Sequence, residues 1–398
     1  MPKPQALSGM KVLDCSQILA GPFCTMMLAD MGAEVIKIEK PNGGDDTRGW
    51  GPPFIAGESA AFLQLNRNKK SVSLNIQTEK GKEIFLKLIS KSDVFVENFR
   101  PGSLKKLNLD YEDIKKVNPK IIHCSISGFG KTGPYSNRAG FDLVAQGMSG
   151  LMSITGNPDS PPVKVGVPIS DLNGGVYAMY GILSAYIHLL KTGEGQYIES
   201  SLLESSLAYT VWESSIYFST GEIPSPMGSA HRLSAPYQSL KTKDGYINIG
   251  APNQTNWERL TISINREDLM KNPKFKGSPE RLKNRALLEK ELEKSFTKKT
   301  TQDWMEILEK AGVPAGPIFN MKDVWNNEQV KSRNMDVLLD HPTAGTIHNI
   351  GIATKLSKTP GVIHSPAPLL GQHTSEILNQ LGYEKPEIEE LKNNGTLK

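Results

Sequence analysis

The sequence predicts an α/β protein whose larger part is a doubly wound parallel sheet, accompanied by a smaller α+β domain. In the first half, short apolar runs alternate with segments of helical periodicity, which is typical of βαβ units. Between residues 221 and 235, a stretch rich in Gly, Pro and Ser interrupts this order. With 398 residues, the chain is long enough for two domains.

The strands of the first domain are predicted from short apolar runs rich in β-branched residues. After the third run, Thr78 to Ser90 places Ile84 and Leu88 one turn apart, which predicts an amphipathic helix. A long helix rich in small residues is predicted from Leu172 to about Leu190. The predicted strands are Lys11–Cys15, Val35–Ile38, Ser71–Leu74, Val94–Val96, Ile121–Ser125 and Gln196–Glu199.

The second domain is predicted over residues 221–325. Lys243-Asp244-Gly245 separates two strand-like runs and indicates a hairpin. Helical segments follow at Gln254–Ile264, Pro279–Phe296 and Gln302–Ala311. We therefore expect residues 1–220 to form the large domain and residues 326–398 to return to it, with the end of the chain, from Asn393, frayed.

Composition excludes several classes of protein. A hydrophobic content of 38%, a charged content of 22% and a net charge of +4 fit a soluble globular protein, with neither nucleic acid nor a membrane as partner. No apolar run is long enough to span a bilayer. Cys15, Cys24 and Cys124 show no disulfide pattern, which favours a reducing compartment, the cytoplasm, or the mitochondrial matrix if a transit peptide was removed.

Two apparent signals do not support a cofactor. Gly128-Phe129-Gly130-Lys131-Thr132-Gly133 fits a dinucleotide-binding motif, but Pro134 follows where a helix should begin, so a glycine-rich turn is the better interpretation. The seven histidines are scattered and form no cluster with cysteines. We therefore predict no metal site and no tightly bound cofactor.

Asp171 is the most informative single residue. It follows the short apolar run Val165–Ile169 and precedes the long predicted helix. Gly174 and Gly175 come within one turn, and we expect them to leave room for a ligand near the carboxylate. A carboxylate in this position can be a helix N-cap or a nucleophile.

A set of short motifs surrounds Asp171 in a fixed order. Together they resemble the class III CoA-transferases, the family of the formyl-CoA and carnitine-CoA transferases, over nearly the whole chain. The similarity is greatest to members of the succinate–hydroxymethylglutarate (glutarate) type, which move CoA between dicarboxylic acids. The motifs are Leu19-Ala20-Gly21-Pro22, Gly44-Asp45-Asp46-Thr47-Arg48, Asn66-Arg67-Asn68-Lys69-Lys70, Glu97-Asn98-Phe99-Arg100-Pro101-Gly102, Arg138-Ala139-Gly140-Phe141-Asp142 and Pro368-Leu369-Leu370-Gly371.

The resemblance implies a fold, an assembly and a mechanism. The fold is a Rossmann-like large domain with a smaller inserted domain, and the assembly is an interlocked homodimer. CoA or acyl-CoA is a substrate, with succinyl-CoA the implied donor and a free dicarboxylic acid the acceptor. Asp171 would be the nucleophile that forms an acyl anhydride and then an aspartyl-CoA thioester.

The resemblance also implies binding residues. Lys40 and Lys106 stand where relatives have arginines that meet the CoA phosphates, and Arg100 and Arg138 lie near further contacts. Gln17 matches a polar active-site position. His231 and Arg232 lie in a loop that could bind the distal carboxylate of the acceptor, because arginine suits carboxylates. Positions that match adenine or pantetheine contacts are Leu19, Ala20, Leu74, Asn98 and Phe99.

Two alternatives stay open at the level of sequence. The same family contains α-methylacyl-CoA racemases, which use a histidine where this chain has Phe141. A phenyl ring cannot exchange a proton, so the racemase alternative is disfavoured. The third hypothesis is a CoA-binding protein without catalysis.

Overall fold

The computed structural model describes residues 4–398. In that range, the largest sheet has six strands, all of them paired in parallel. Their order across the sheet is β3-β2-β1-β4-β5-β6, which confirms the predicted α/β class with a parallel central sheet. The strands are β1 (Lys11–Asp14), β2 (Glu34–Glu39), β3 (Lys69–Ser73), β4 (Val94–Glu97), β5 (Ile122–Ser127) and β6 (Tyr197–Ser201).

Helices cover both faces of this sheet because neighbouring side chains on a strand point to opposite faces. Val12 of β1 packs in a core with Cys24 and Ala178, whereas Leu13 packs in a second core with Phe85. The helices around the sheet are Ala20–Asp30, Ala60–Leu65, Glu79–Ile89, Ser103–Lys106, Tyr111–Val117, Asp142–Met148, Ile169–Thr192, Leu202–Leu207, Val211–Thr220, Glu328–Ser332, Thr374–Gln380 and Lys385–Asn393, with a 3₁₀ turn at Asp46–Gly49.

The chain divides into two compact units. The first consists of Met1–Leu151, Lys164–Ser219 and Glu328–Lys398, and the second of Met152–Val163 and Thr220–Asn327. Besides the large sheet, the first unit contains the antiparallel pairs Phe54–Ile55 with Glu58–Ser59 and Asp336–His341 with Gly345–Ile350.

The second unit has its own core, in which Trp257, Phe296 and Leu308 are fully buried. The expected hairpin is present: β7 (Tyr237–Lys241) pairs antiparallel with β8 (Tyr246–Gly250), which also pairs with β9 (Ala315–Pro317). Its helices are Gln254–Ser263, Asp268–Lys271, Ser278–Lys283, Arg285–Phe296, Thr301–Ala311 and Met321–Asn326, with a short helix at Leu151–Ile154 where the units meet in sequence.

The end of the chain is anchored, so the expectation of a frayed end is wrong. The Asn75 N–H donates to the Thr396 carbonyl over 2.8 Å, and Leu397 is buried. The helix Lys385–Asn393, which the sequence analysis did not predict, buries Ile388 and Leu391 in the core on the Leu13 face of the sheet. Within residues 4–398, no helix is long and apolar enough to cross a membrane.

Candidate active site

Asp171 lies in the first turn of the helix Ile169–Thr192, which we call the long helix. This helix begins three residues before the predicted start, and its N-cap is Pro168. Asp171 is therefore not the cap, and the N-cap interpretation of its carboxylate is wrong. Within residues 4–398, the Asp171 carboxylate has no hydrogen-bond or ion-pair partner, although the side chain is more than half buried.

A second carboxylate binds the start of the long helix instead. Asp142 Oδ1 accepts a hydrogen bond from the Ser170 N–H over 2.9 Å. Asp142 Oδ2 accepts one from Gln146 Nε2 over 2.8 Å, and Gln146 Oε1 in turn accepts from the Val165 N–H. The unpaired N–H groups at the start of a helix attract a carboxylate. Asp142 supplies that carboxylate here, so the Asp171 carboxylate does not. The sequence analysis quoted Asp142 within a motif but assigned it no role.

Burial changes the acidity of Asp171. Desolvation raises the pKa of its carboxyl to about 6, and the negative charge of Asp142 adds to the rise. A carboxylate with a raised pKa is a better base and nucleophile than one in water, yet it is still largely ionised at neutral pH.

The Asp171 carboxylate faces a cavity of about 380 Å³ in the first unit. The loops after β1, β4 and β5 supply most of its walls, as expected for the carboxyl ends of parallel strands. The cavity thus brings together most of the residues predicted from the sequence as binding or catalytic. These are Gln17, Leu19, Ala20, Asn98, Phe99, Arg100, Arg138 and Asp171, and they are joined by Asp46, Ser127, Ser136 and Phe141.

The glycines after Asp171 do not line this cavity, so the expectation that they make room for a ligand is wrong. A Cβ on Gly175 would lie 2.5 Å from the Ala20 carbonyl oxygen, and one on Gly174 would lie 2.8 Å from Leu202 Cδ2. The two glycines therefore allow close helix packing. This packing places Ala20 and Leu202, which both line the cavity, next to the long helix.

A neighbouring cavity of about 260 Å³ contains two more of the predicted residues, Lys40 and Leu74. Gln17 and Phe99 line both cavities. The Lys40 ammonium group forms a half-exposed ion pair with Asp46 at 2.6 Å. A pair that is this exposed contributes little to stability.

Three predicted residues lie elsewhere. Lys106 ends the short helix Ser103–Lys106 and lines neither cavity. His231 and Arg232 belong to the second unit, where Arg232 Nη2 donates to the Ser225 carbonyl at 2.5 Å and the His231 ring packs edge-on against Tyr237. The first unit therefore forms its cavity without them.

The glycine-rich segment after β5 is a loop. Gly130 and Gly133 have φ values of 84° and 82° in an irregular loop, so no helix begins there to bind a dinucleotide. Among residues 4–398, no group of three His, Cys, Asp or Glu residues could hold a metal ion. Phe141, on which the sequence analysis disfavoured the racemase alternative, lines the cavity.

The chain belongs to CoA-transferase family III, whose sequence model matches residues 7–374. It is 44% identical to human succinyl-CoA:glutarate CoA-transferase, over 98% of this chain and 90% of that protein. It is 37% identical to succinate–glutarate CoA-transferase of Agrobacterium fabrum, over 94% of this chain and 95% of that protein. The family resemblance drawn from the ordered motifs is thereby confirmed, and the protein is a family III CoA-transferase.

A solved structure gives the same assignment. A CAIB/BAIF family protein from Brucella suis superposes with a TM-score of 0.85 at 39% sequence identity. The match covers 95% of this chain and all of that one. The α/β fold with its parallel sheet is thus shared with a relative of known structure.

The raised pKa of Asp171 predicts a pH-dependent stability. Because the folded-state pKa lies above the usual value of 3.8, the ionised carboxylate destabilises the fold above about pH 6 and does so no longer below about pH 4. We expect Asp171→Asn to raise the free energy of unfolding by about 1 to 3 kcal/mol near pH 8. Urea unfolding at a series of pH values would measure this gain, which should disappear in acid.

Asp113 is a control whose pKa is shifted in the opposite direction. Hydrogen bonding to Lys116 lowers the pKa of this partly exposed residue, so Asp113→Asn should lose stability at neutral pH rather than gain it. An Asp171→Asn gain that is equal at all pH values would contradict the raised pKa.

Proposed function

We propose that the protein transfers CoA from succinyl-CoA to a free dicarboxylic acid, with glutarate as the first candidate acceptor. Relatives that are named for succinyl-CoA and glutarate match almost the whole chain. The observation that carries the mechanism is the Asp171 carboxylate, which is more than half buried, unpaired and exposed to a cavity lined by cations.

The proposed reaction begins at the donor thioester. The Asp171 carboxylate attacks the thioester carbonyl, the C–S bond breaks, and a mixed anhydride and the CoA thiolate form. The thiolate then attacks the aspartyl carbonyl of the anhydride, which releases the donor acid and leaves an aspartyl-CoA thioester. The acceptor carboxylate repeats both steps in reverse order, so that acyl-CoA leaves and the Asp171 carboxylate is restored.

The residues around Asp171 support this sequence of steps. Gln17 and Asn98 place amide groups at the cavity, where the Gln17 side chain could donate to the developing oxyanion. The mechanism requires that water is kept from the anhydride, because water would hydrolyse it. Leaving the anhydride intact until the thiolate returns is the main requirement of such a mechanism.

We propose that the two cavities hold the CoA substrate. Lys40, Arg100 and Arg138, with Lys106 as a further candidate, would bind its phosphates. Leu19, Ala20, Leu74 and Phe99 offer apolar surface for the pantetheine arm and the adenine ring. We propose His231 and Arg232 as contacts for the distal carboxylate of the acceptor, as the resemblance implied.

We further propose that the chain forms the interlocked homodimer implied by the resemblance. The long helix exposes Tyr180 and Leu190 at 68% and 69%, and the helix Val211–Thr220 exposes Trp212 and Phe218. Several large apolar side chains exposed on neighbouring helical segments of the chain commonly mark a protein interface. Domains at residues 1–220, 221–325 and 326–398, and a location in the cytoplasm or the mitochondrial matrix, stay predictions.

Asp171→Ala tests the nucleophile. We expect a loss of transfer activity of at least about 1,000-fold, because the proposed covalent intermediate forms on the Asp171 carboxylate. Mass spectrometry of the wild-type protein mixed with succinyl-CoA should find CoA or the succinyl group on Asp171. Retained activity in the variant would contradict the assignment. Exchange of the α-proton with deuterated water, without an acceptor acid, would instead favour the racemase alternative.

A panel of acceptor acids tests the substrate. With succinyl-CoA as donor, we expect glutarate to give the highest kcat/KM among glutarate, hydroxymethylglutarate, mesaconate, itaconate, malate and oxalate. Butyrate, which is glutarate without its second carboxylate, is the control for recognition of that group. Equal rates with butyrate and the dicarboxylic acids would contradict a dicarboxylate site.

Sedimentation equilibrium tests the homodimer. We expect a mass of twice 43.7 kDa at micromolar concentration. Trp212→Asp together with Phe218→Asp should favour the monomer, because charge on the exposed apolar helix opposes burial. A monomeric wild-type protein would overturn this assembly.

A further inference from the structure

The loop after β1 contains an unusual backbone conformation beside Asp171. Ile18 has φ 71°, which lies in the left-handed region. A β-branched side chain is strained in this region, and such strain persists only where surrounding contacts enforce it. The residue before it, Gln17, lines both cavities. The contacts that enforce the Ile18 conformation therefore also determine where Gln17 lies.

Asn98, directly after β4, holds the backbone of Gln17 from both sides. The Gln17 N–H donates to Asn98 Oδ1 over 2.8 Å, and Asn98 Nδ2 donates to the Gln17 carbonyl over 2.8 Å. Asn98 is itself fixed, because the neighbouring Phe99 N–H donates to Glu97 Oε2 over 2.8 Å. The Asn98 side chain is thus engaged at both its oxygen and its nitrogen.

A buried ion pair holds the residues on either side of Gln17. The Ile18 N–H donates to Asp45 Oδ1 over 3.1 Å, and Lys37 Nζ donates to the Ser16 carbonyl over 2.7 Å. Lys37 and Asp45 are joined at 2.8 Å, and both side chains are fully buried. Charge-assisted hydrogen bonds in such a setting are strong and geometrically strict.

The ion pair keeps its charges over the working pH range. Burial alone would raise the pKa of Asp45, but the Lys37 ammonium group outweighs burial and holds that pKa below its ordinary value. Burial would lower the pKa of Lys37, but Asp45 and Asp14 raise it above its usual range. Protonation changes near neutral pH therefore do not release the loop.

We propose that Asn98 is a positioning residue that keeps Gln17 at the reaction site through the strained Ile18 turn, rather than a residue that binds CoA directly. The Lys37–Asp45 pair supports the same turn from the opposite side. This inference rests on the proposed function only in that Gln17 is taken to act on the substrate. It replaces the expectation that the Asn98 amide is a ligand contact.

A double-mutant cycle between Asn98 and Gln17 tests the proposal. We expect Asn98→Ala and Gln17→Ala each to lower kcat by roughly 10- to 100-fold, with KM for succinyl-CoA changed less than about threefold. Because Asn98 acts through Gln17, the double variant should be no slower than Gln17→Ala alone. Effects that multiply in the double variant would overturn the proposal.

Two further results would also overturn it. A higher KM for succinyl-CoA with unchanged kcat in Asn98→Ala would show a direct CoA contact. Full activity of Gln17→Ala would show that the Gln17 side chain has no part in the reaction, so Asn98 would not act through it. If Asp171 carries no covalent adduct but the cycle still shows coupling, the proposed mechanism fails while the positioning role stands.

Two variants separate positioning from folding. Asn118 Nδ2 also donates to two backbone carbonyls, those of Ile89 and Ser92, but lines neither cavity. Asn118→Ala should therefore lower thermal stability without lowering kcat. Glycine adopts positive φ without strain, so Ile18→Gly added to Asn98→Ala should recover at least about threefold in kcat. No recovery would overturn the role of strain at Ile18.

Discussion

The hydrogen bond from the Ser170 N–H to Asp142 is the contact on which the site depends. The start of a helix attracts a carboxylate, and Asp171 is close enough to serve. Because Asp142 occupies that role from a separate helix, the Asp171 side chain has no hydrogen-bond or ion-pair partner in the part of the chain that the structure describes. An unpaired, mostly buried carboxylate is costly for stability, and its raised pKa is the measure of that cost.

The topology of the sheet explains where the cavity lies. The strand order reverses direction between β1 and β4, and ligands of open α/β sheets bind where the carboxyl ends of strands separate in this way. Gln17 follows β1 and Asn98 follows β4. Their paired hydrogen bonds join the two loops across this point, so the fold and the site share one set of contacts.

The buried charges near the site fix the geometry of the β1 loop more than they stabilise the fold. Asp14, Lys37 and Lys69 are almost entirely buried, and removing two charges from water costs about as much as their attraction returns. Each of them, however, bonds to a particular backbone or side-chain group around the β1 loop. A network of this kind permits few alternative arrangements, which suits a strained loop that lines the same cavity as the Asp171 carboxylate.

The sequence by itself determined the βαβ rhythm and the family, because local periodicity and ordered motifs are properties of short segments. It also singled out Asp171 as the proposed nucleophile. Only the tertiary structure decided that Asp142 binds the helix start, that Gly175 allows close helix packing and that Asn98 forms hydrogen bonds with the Gln17 backbone. Asn98 and Gln17 are 81 residues apart, and Asp142 and Ser170 are 28 apart. Partners so distant in sequence leave no local pattern, since folding alone brings them together.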